Sequence, residues 1–218
     1  MRRIYWLLIL VFLFSCDQQQ ITKDIPAEEQ KDDTPYGLFG STYRNKNLVF
    51  KVGNLPVDHW AIYADNHPIV SELTEDYAKD TNTNRFVVLL LASYPKKEYT
   101  SRLEAVDRIL VDLEIGMETQ TKTDKRSAED FGNGFMKGYP ENEYYEQGGI
   151  RTKDSYSGYK FYYTHIQSGI KGGIAYFIRS SGNTKRVYRL LYRAKSEEAE
   201  RGRKAFENML ENLEFNTL

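Results

Sequence analysis

The sequence predicts an α+β domain, a twisted and mainly antiparallel sheet flanked by helices in an α/β/α sandwich. Three observations carry this. Short extended pieces open the folded part, four closely spaced strands rich in tyrosine fill its second half, and segments with helical apolar spacing lie before, between and after them. With 218 residues, 40% hydrophobic and 28% charged, the composition suits one globular domain with attachments.

The N-terminus comes first. Arg2 and Arg3 precede eleven apolar or aromatic residues, Ile4 to Phe14. That run is shorter than the about 20 helical residues needed to cross about 30 Å of hydrocarbon, and it suits the apolar region of a secretory signal. Leu13-Phe14-Ser15-Cys16 then resembles the lipobox of bacterial lipoprotein precursors, with Phe14 bulkier than usual at its position. Cys16 is the sole cysteine, so an intrachain disulfide and a cysteine-based zinc site are both ruled out. The expected organisation is a signal peptide over 1–15, a lipidated Cys16 with a flexible tether over 16–35, and one globular domain over 36–218. The polar stretch from Asp17 to Pro35 would span about 25 Å as a coil and at most about 65 Å extended. These features predict a domain held by lipid at the cell membrane or outer membrane, facing the periplasm or the cell exterior.

Within the domain, Leu48, Phe50 and Val52 alternate with Val49 and Lys51 as a half-buried strand after the turn-like Asn45-Lys46-Asn47. Trp60-Ala61-Ile62-Tyr63 begins a second extended piece. Ile69, Leu73 and Tyr77 predict a helix over Pro68–Lys79, and the apolar run Phe86–Leu91 predicts a central strand covered on both faces. Ser101 and Glu104 read as a capping box, with Leu103, Val106, Leu110 and Leu113 at helical spacing and Gly116 as the stop. Ser127 is expected to cap a short helix presenting Phe131 and Phe135. The four strands are expected at Tyr144–Thr152, Tyr159–Gln167, Gly173–Ser180 and Arg186–Arg193, the last two joined by a hairpin turn at Ser181-Gly182-Asn183-Thr184. Ser196 opens a final amphipathic helix carrying Phe206, Met209, Leu210 and Leu213.

This order resembles the PsbP-like superfamily, named for the lumenal extrinsic subunit of photosystem II. Tyr43 with Phe50-Lys51-Val52, then Leu55-Pro56 and Trp60, look like the family's opening hairpin and the passage after it. The Phe86–Leu91 strand, the helix expected after Ser101 and the terminal helix ending Leu213-Glu214-Phe215 also match, over about residues 40 to 216. The helical stretches at Pro68–Lys79 and Ser127–Gly138 depart from the pattern. The resemblance implies a PsbP-like fold and a non-enzymatic binding or assembly role, and it supplies no catalytic residues.

The residues themselves offer little chemistry. Removing Arg2 and Arg3 leaves 28 basic against 31 acidic residues, a net of −3 that gives no field for nucleic acid. His59, His67 and His165 form no ligand motif, and no metal or cofactor is expected. Ser93/Lys96 and Ser168/Lys171 match S-x-x-K at a frequency chance explains, without the partner elements of that chemistry. Tyrosine is abundant, 17 in all and crowded into the second half. It serves cross-strand packing and can form a platform for glycan or protein. In the last strand, Lys185, Arg189 and Arg193 share a face with Val187 and Leu191, read as a solvated edge guarded by charge. Tyr159, Tyr163, Arg189 and Arg193 are the candidate partner-binding residues, and Cys16 is the lipidation site. The sequence favours a lipid-anchored, non-catalytic envelope protein that binds an envelope protein or glycan. It leaves open an envelope hydrolase, or a carrier of a small apolar or sugar ligand.

Overall fold

The computed structural model describes residues 37–45, 50–64, 67–81, 86–99, 101 and 108–215. The leader, Cys16 and the tether to residue 35 lie outside them, as do Leu48 and the capping partner Glu104. The opening pieces form β1 (Gly37–Phe39), β2 (Thr42–Asn45), β3 (Phe50–Val52) and β4 (Ala61–Ala64). Helix α1 spans Pro68–Thr81, its proline at the first helical position where no N–H is needed. Next come β5 (Phe86–Tyr94), β6 (Val111–Thr121) and α2 (Ala128–Gly138). The expected cap of α2 is present: Asp130 N–H donates to Ser127 Oγ at 3.1 Å and Ser127 N–H donates to Asp130 Oδ2 at 2.7 Å. The four-strand meander follows as β7 (Asn142–Arg151), β8 (Ser157–His165), β9 (Lys171–Ser181) and β10 (Thr184–Ala194), each end within two residues of expectation. A 3-10 turn at Ser196–Glu198 leads into α3 (Ala199–Glu211), and β11 (Leu213–Glu214) comes last.

Two antiparallel sheets result. The larger has the order β4-β5-β6-β10-β9-β8-β7, the smaller β1-β2-β3-β11. Gly182, at φ +56°, supplies the left-handed residue that the two-residue turn between β9 and β10 requires. The alternation of each strand sorts its side chains onto two faces. On one face of the large sheet, Phe206, Met209 and Leu210 of α3 pack with Leu113, Ile115, Tyr162, Phe177, Tyr188 and Tyr192; the small sheet adds Tyr43, Phe50 and Val52, and Phe215 just after it joins them. On the other, Ile69, Val70 and Leu73 of α1 cover β4 and β5, while Phe131, Phe135 and Met136 of α2 cover β8 and β9. β5 serves both cores because a bulge between Val88 and Leu90 turns Leu89 and Leu90 toward the α3 side and keeps Val88 and Leu91 on the α1 side. These layers are the expected α+β sandwich.

The end of one predicted helix is a strand. The spacing of Leu103, Val106, Leu110 and Leu113 suggested a helix stopped at Gly116, but β6 begins at Val111 and Gly116 lies in its interior. The residues between 102 and 107 lie outside the described set. From Val111 onward the apolar positions 111, 113, 115 and 117 also alternate with Asp112, Glu114, Gly116 and Glu118. That period wins because β6 hydrogen-bonds to both β5 and β10 along its length. Gly116 is a packing residue: a Cβ there would sit 2.1 Å from Phe86 Cζ. A second expectation is also corrected. β10, carrying Lys185, Arg189 and Arg193, is no edge; it lies between β6 and β9.

Candidate functional site

The alternation that buries Tyr188, Leu190 and Tyr192 against α3 places Lys185, Val187, Arg189, Leu191 and Arg193 on the helix-covered face. On β6 the same face carries Asp112, Glu114 and Gly116. Register then decides the pairing. Arg193 stands directly opposite Asp112 and donates to it twice, Nε to Oδ1 at 3.1 Å and Nη2 to Oδ2 at 2.6 Å. Arg189 stands opposite Gly116, whose missing side chain leaves room for the guanidinium to lie over the rings of Phe86 (4.2 Å) and Tyr77 (4.8 Å). From there Arg189 Nη2 donates to Glu114 Oε1 at 2.6 Å, and Tyr77 Oη donates to Glu114 Oε2 at 2.9 Å. Arg193 Nη2 is 3.9 Å from the same Oε2.

Glu114 is fully buried, so its charge survives only through these partners. Burial alone would push its carboxyl up, but Arg189 and then Arg193 outweigh that and hold it below the usual value. The Tyr77 hydroxyl is pushed up to about 12, by burial first and by the Glu114 charge second. Burial pushes the neighbouring Tyr176 to about 12 and also raises Tyr163. Burial opposes the charge of Arg189, but Glu114 together with Tyr77 and Tyr176 outweighs it and holds the guanidinium charged. The network keeps one charge pattern throughout the neutral range.

Beside it, between α1 and α2, lies a cleft of about 430 Å³. Its walls include Tyr77 from α1, Phe135 and Tyr139 from the end of α2, Asn142 from β7, and Arg189 and Arg193 from β10. An adjoining pocket of about 310 Å³ shares Ile170 and Arg193 with it and is lined chiefly by Ile69, Leu73, Leu91 and Ile109. Two buried side-chain atoms of the cleft walls have no hydrogen-bond partner among the described residues, Arg189 Nε and Asn142 Oδ1. The opposite end of the Asn142 amide donates to Tyr144 Oη at 3.2 Å.

Of the sequence-predicted residues, the structure brings Tyr163, Arg189 and Arg193 to this one cleft. Tyr159 lines a separate groove by the start of α2 and donates to Gln147 Oε1 at 3.2 Å. Lys185 is buried in the same neighbourhood, donating to the backbone carbonyl of Asp124 at 3.1 Å and to that of Arg126. It fastens the loop before α2. Cys16 lies outside the described residues. His59 is exposed, and His67 packs 4.6 Å from the Tyr63 ring. His165 reaches the cleft, where its Nδ1 and Ser168 Oγ, 2.7 Å apart, close the turn between β8 and β9. Among the described residues, no group of three His, Cys, Asp or Glu side chains is placed to hold a metal. Sequence reasoning missed Asp112, Glu114, Tyr77, Tyr139 and Asn142. The available signal was the acidic alternation of 112 and 114 facing the basic one of 189 and 193.

The α+β fold of the chain has a counterpart among solved structures. The chain is similar to LpqN of Mycobacterium tuberculosis, a protein involved in cell envelope biogenesis, at 12% identity over 81% of this chain and 85% of that one, with a TM-score of 0.51. It is also similar to the cyanobacterial PsbP of Synechocystis sp. PCC 6803 at 11% identity over 84% and 97% of the two chains (TM-score 0.45). A third is the Ran-binding protein Mog1p of Saccharomyces cerevisiae, at 8% identity over 83% and 97% (TM-score 0.41). At 12% identity the likeness to LpqN establishes the fold alone. No family model and no characterised protein matches the chain by sequence. Among the described residues no helix is long and apolar enough to cross a membrane.

Proposed function

We propose that this chain is a lipid-anchored binding protein of the cell envelope, held by acyl chains on Cys16 and receiving its ligand in the cleft between α1 and α2. The observation that carries the binding role is the fixed charge of that cleft. A general acid or base works best with a pKa near the operating pH. Here Glu114 is driven down, Tyr77 is driven up to about 12, and Arg189 is held charged, so the network offers preformed polarity in place of a transferable proton. The anchor rests on Leu13-Phe14-Ser15-Cys16 followed by a polar tether. Envelope biogenesis is also the setting of LpqN, which shares the fold.

The anchor is tested by metabolic labelling with an alkyne palmitate and by fractionation of wild type and Cys16→Ser. Labelled wild type in the membrane pellet, with unlabelled variant released from it, supports the reading. Equal membrane retention of both refutes the anchor.

A further inference from the structure

We propose that the cleft between α1 and α2 is a saccharide site, in which a neutral sugar packs on Tyr139 and Phe135 and bonds to Asn142 and Arg189. This deepens the binding-protein reading and rests on it.

Charge excludes the other small polar ligands first. The two guanidinium groups of the cleft already have carboxylate partners, Arg189 with Glu114 and Arg193 with Asp112. At the rim Asp76 in turn has Lys79 at 3.7 Å, so the charges of the cleft are largely paired. The ligand that matches this balance carries no net charge.

Hydrogen bonding narrows the class. Arg189 Nε is a donor and Asn142 Oδ1 an acceptor, both buried and both unmatched among the described residues. A buried polar atom left unpaired costs about 1–3 kcal/mol, so an occupant that supplies both kinds of partner is favoured. A hydroxyl group donates and accepts at once, and a sugar ring presents several.

The rings complete the match. Tyr139 is 49% exposed, and its ring lies 4.6 Å from that of Phe135 at the end of α2. Sugar rings carry apolar C–H faces that pack on such aromatic surfaces, leaving their hydroxyls for polar walls. A volume of about 430 Å³ is in the ordinary range for small-molecule sites and suits a mono- or disaccharide.

The test uses the mature lipoprotein in a polyoxyethylene detergent, which has no sugar ring to compete. Isothermal titration is run with maltose, cellobiose and N,N′-diacetylchitobiose, and with inorganic phosphate and octanoate. Octanoate probes the apolar pocket beyond Ile170. Saturable binding of a neutral disaccharide is expected, weakened about tenfold or more by Tyr139→Ala and by Asn142→Leu. Circular dichroism establishes that both variants are folded, and Asn142→Asp serves as a gentler second substitution at that position. Three results overturn the proposal: no disaccharide binds, the variants bind as wild type does, or only phosphate or octanoate binds. Binding of octanoate or phosphate alone removes the sugar yet leaves the binding-protein reading standing. Turnover of a glycoside by the wild type removes the non-catalytic reading itself.

Discussion

Glu114 is the residue whose loss should be felt most sharply, because it is the counter-charge of a buried arginine. Removing one partner of a buried ion pair typically destabilises by about 3–5 kcal/mol, since the other charge is left unpaired in the interior. The Arg189 side chain keeps 16% exposure and lies over the Phe86 and Tyr77 rings, and the Arg193–Asp112 pair is untouched. These features put Glu114→Gln at the lower end, about 3 kcal/mol. For a domain of this size that corresponds to a fall in Tm of roughly 6–12 °C, and it leaves a folded protein to measure. Arg189→Met in the Glu114→Gln background removes the stranded charge, so the double variant should be more stable than Glu114→Gln alone. Urea unfolding followed by tyrosine and tryptophan fluorescence gives the four free energies of the cycle. An interaction energy below about 0.5 kcal/mol would mean that the two residues act independently, and the account of the network would be wrong.

Acid should weaken the fold through the same group. The Glu114 carboxyl is held below its ordinary value, so its stabilising contribution is complete above the unfolded pKa of about 4.3 and is lost as pH falls through the folded one. Asp124, held down first by its hydrogen bond with Arg126, adds to this loss in the same direction. Unfolding free energy should therefore be nearly flat over about pH 5 to 8 and fall below that, less steeply in Glu114→Gln; a slope identical in the variant would contradict the assignment. At the other extreme, Tyr77 and Tyr176 should remain neutral until about pH 12 or until the protein unfolds, read as the ultraviolet absorbance of phenolate. Ionisation of all tyrosines near their ordinary pKa in a folded protein would refute their burial. Gly116→Ala should destabilise by about 1–3 kcal/mol, because the new methyl would meet Phe86 at 2.1 Å and displace the ring beneath Arg189. A neutral result in thermal unfolding would show that Phe86 moves aside freely.

Much of the fold could be read from the chain because its signals are local. The Tyr-rich alternation of the meander, the Gly182 turn and the apolar spacing of α1, α2 and α3 each sit within a few residues of the structure they specify. Between 103 and 118 two periods overlap, and which one prevails depends on partners far away in sequence: β6 is held by β5 on one side and by β10 on the other. The same non-locality hid the character of β10. Arg189 and Arg193 were visible as two cations on one face, but a strand's position in a sheet is not written in the strand. The acids that neutralise them came from the segment misread as a helix, so strand and site were missed together.

The final segment of the chain has a consequence for biogenesis. Leu213 of β11 pairs with Val52 of β3, while Phe206 and Met209 of α3 cover Tyr162 and Tyr192. Synthesis runs from the N-terminus, so α3 and β11 leave the ribosome after every strand they cover. Before they emerge, β3 lacks β11 beside it and the tyrosine face lacks α3 over it, so both surfaces stay open until that point.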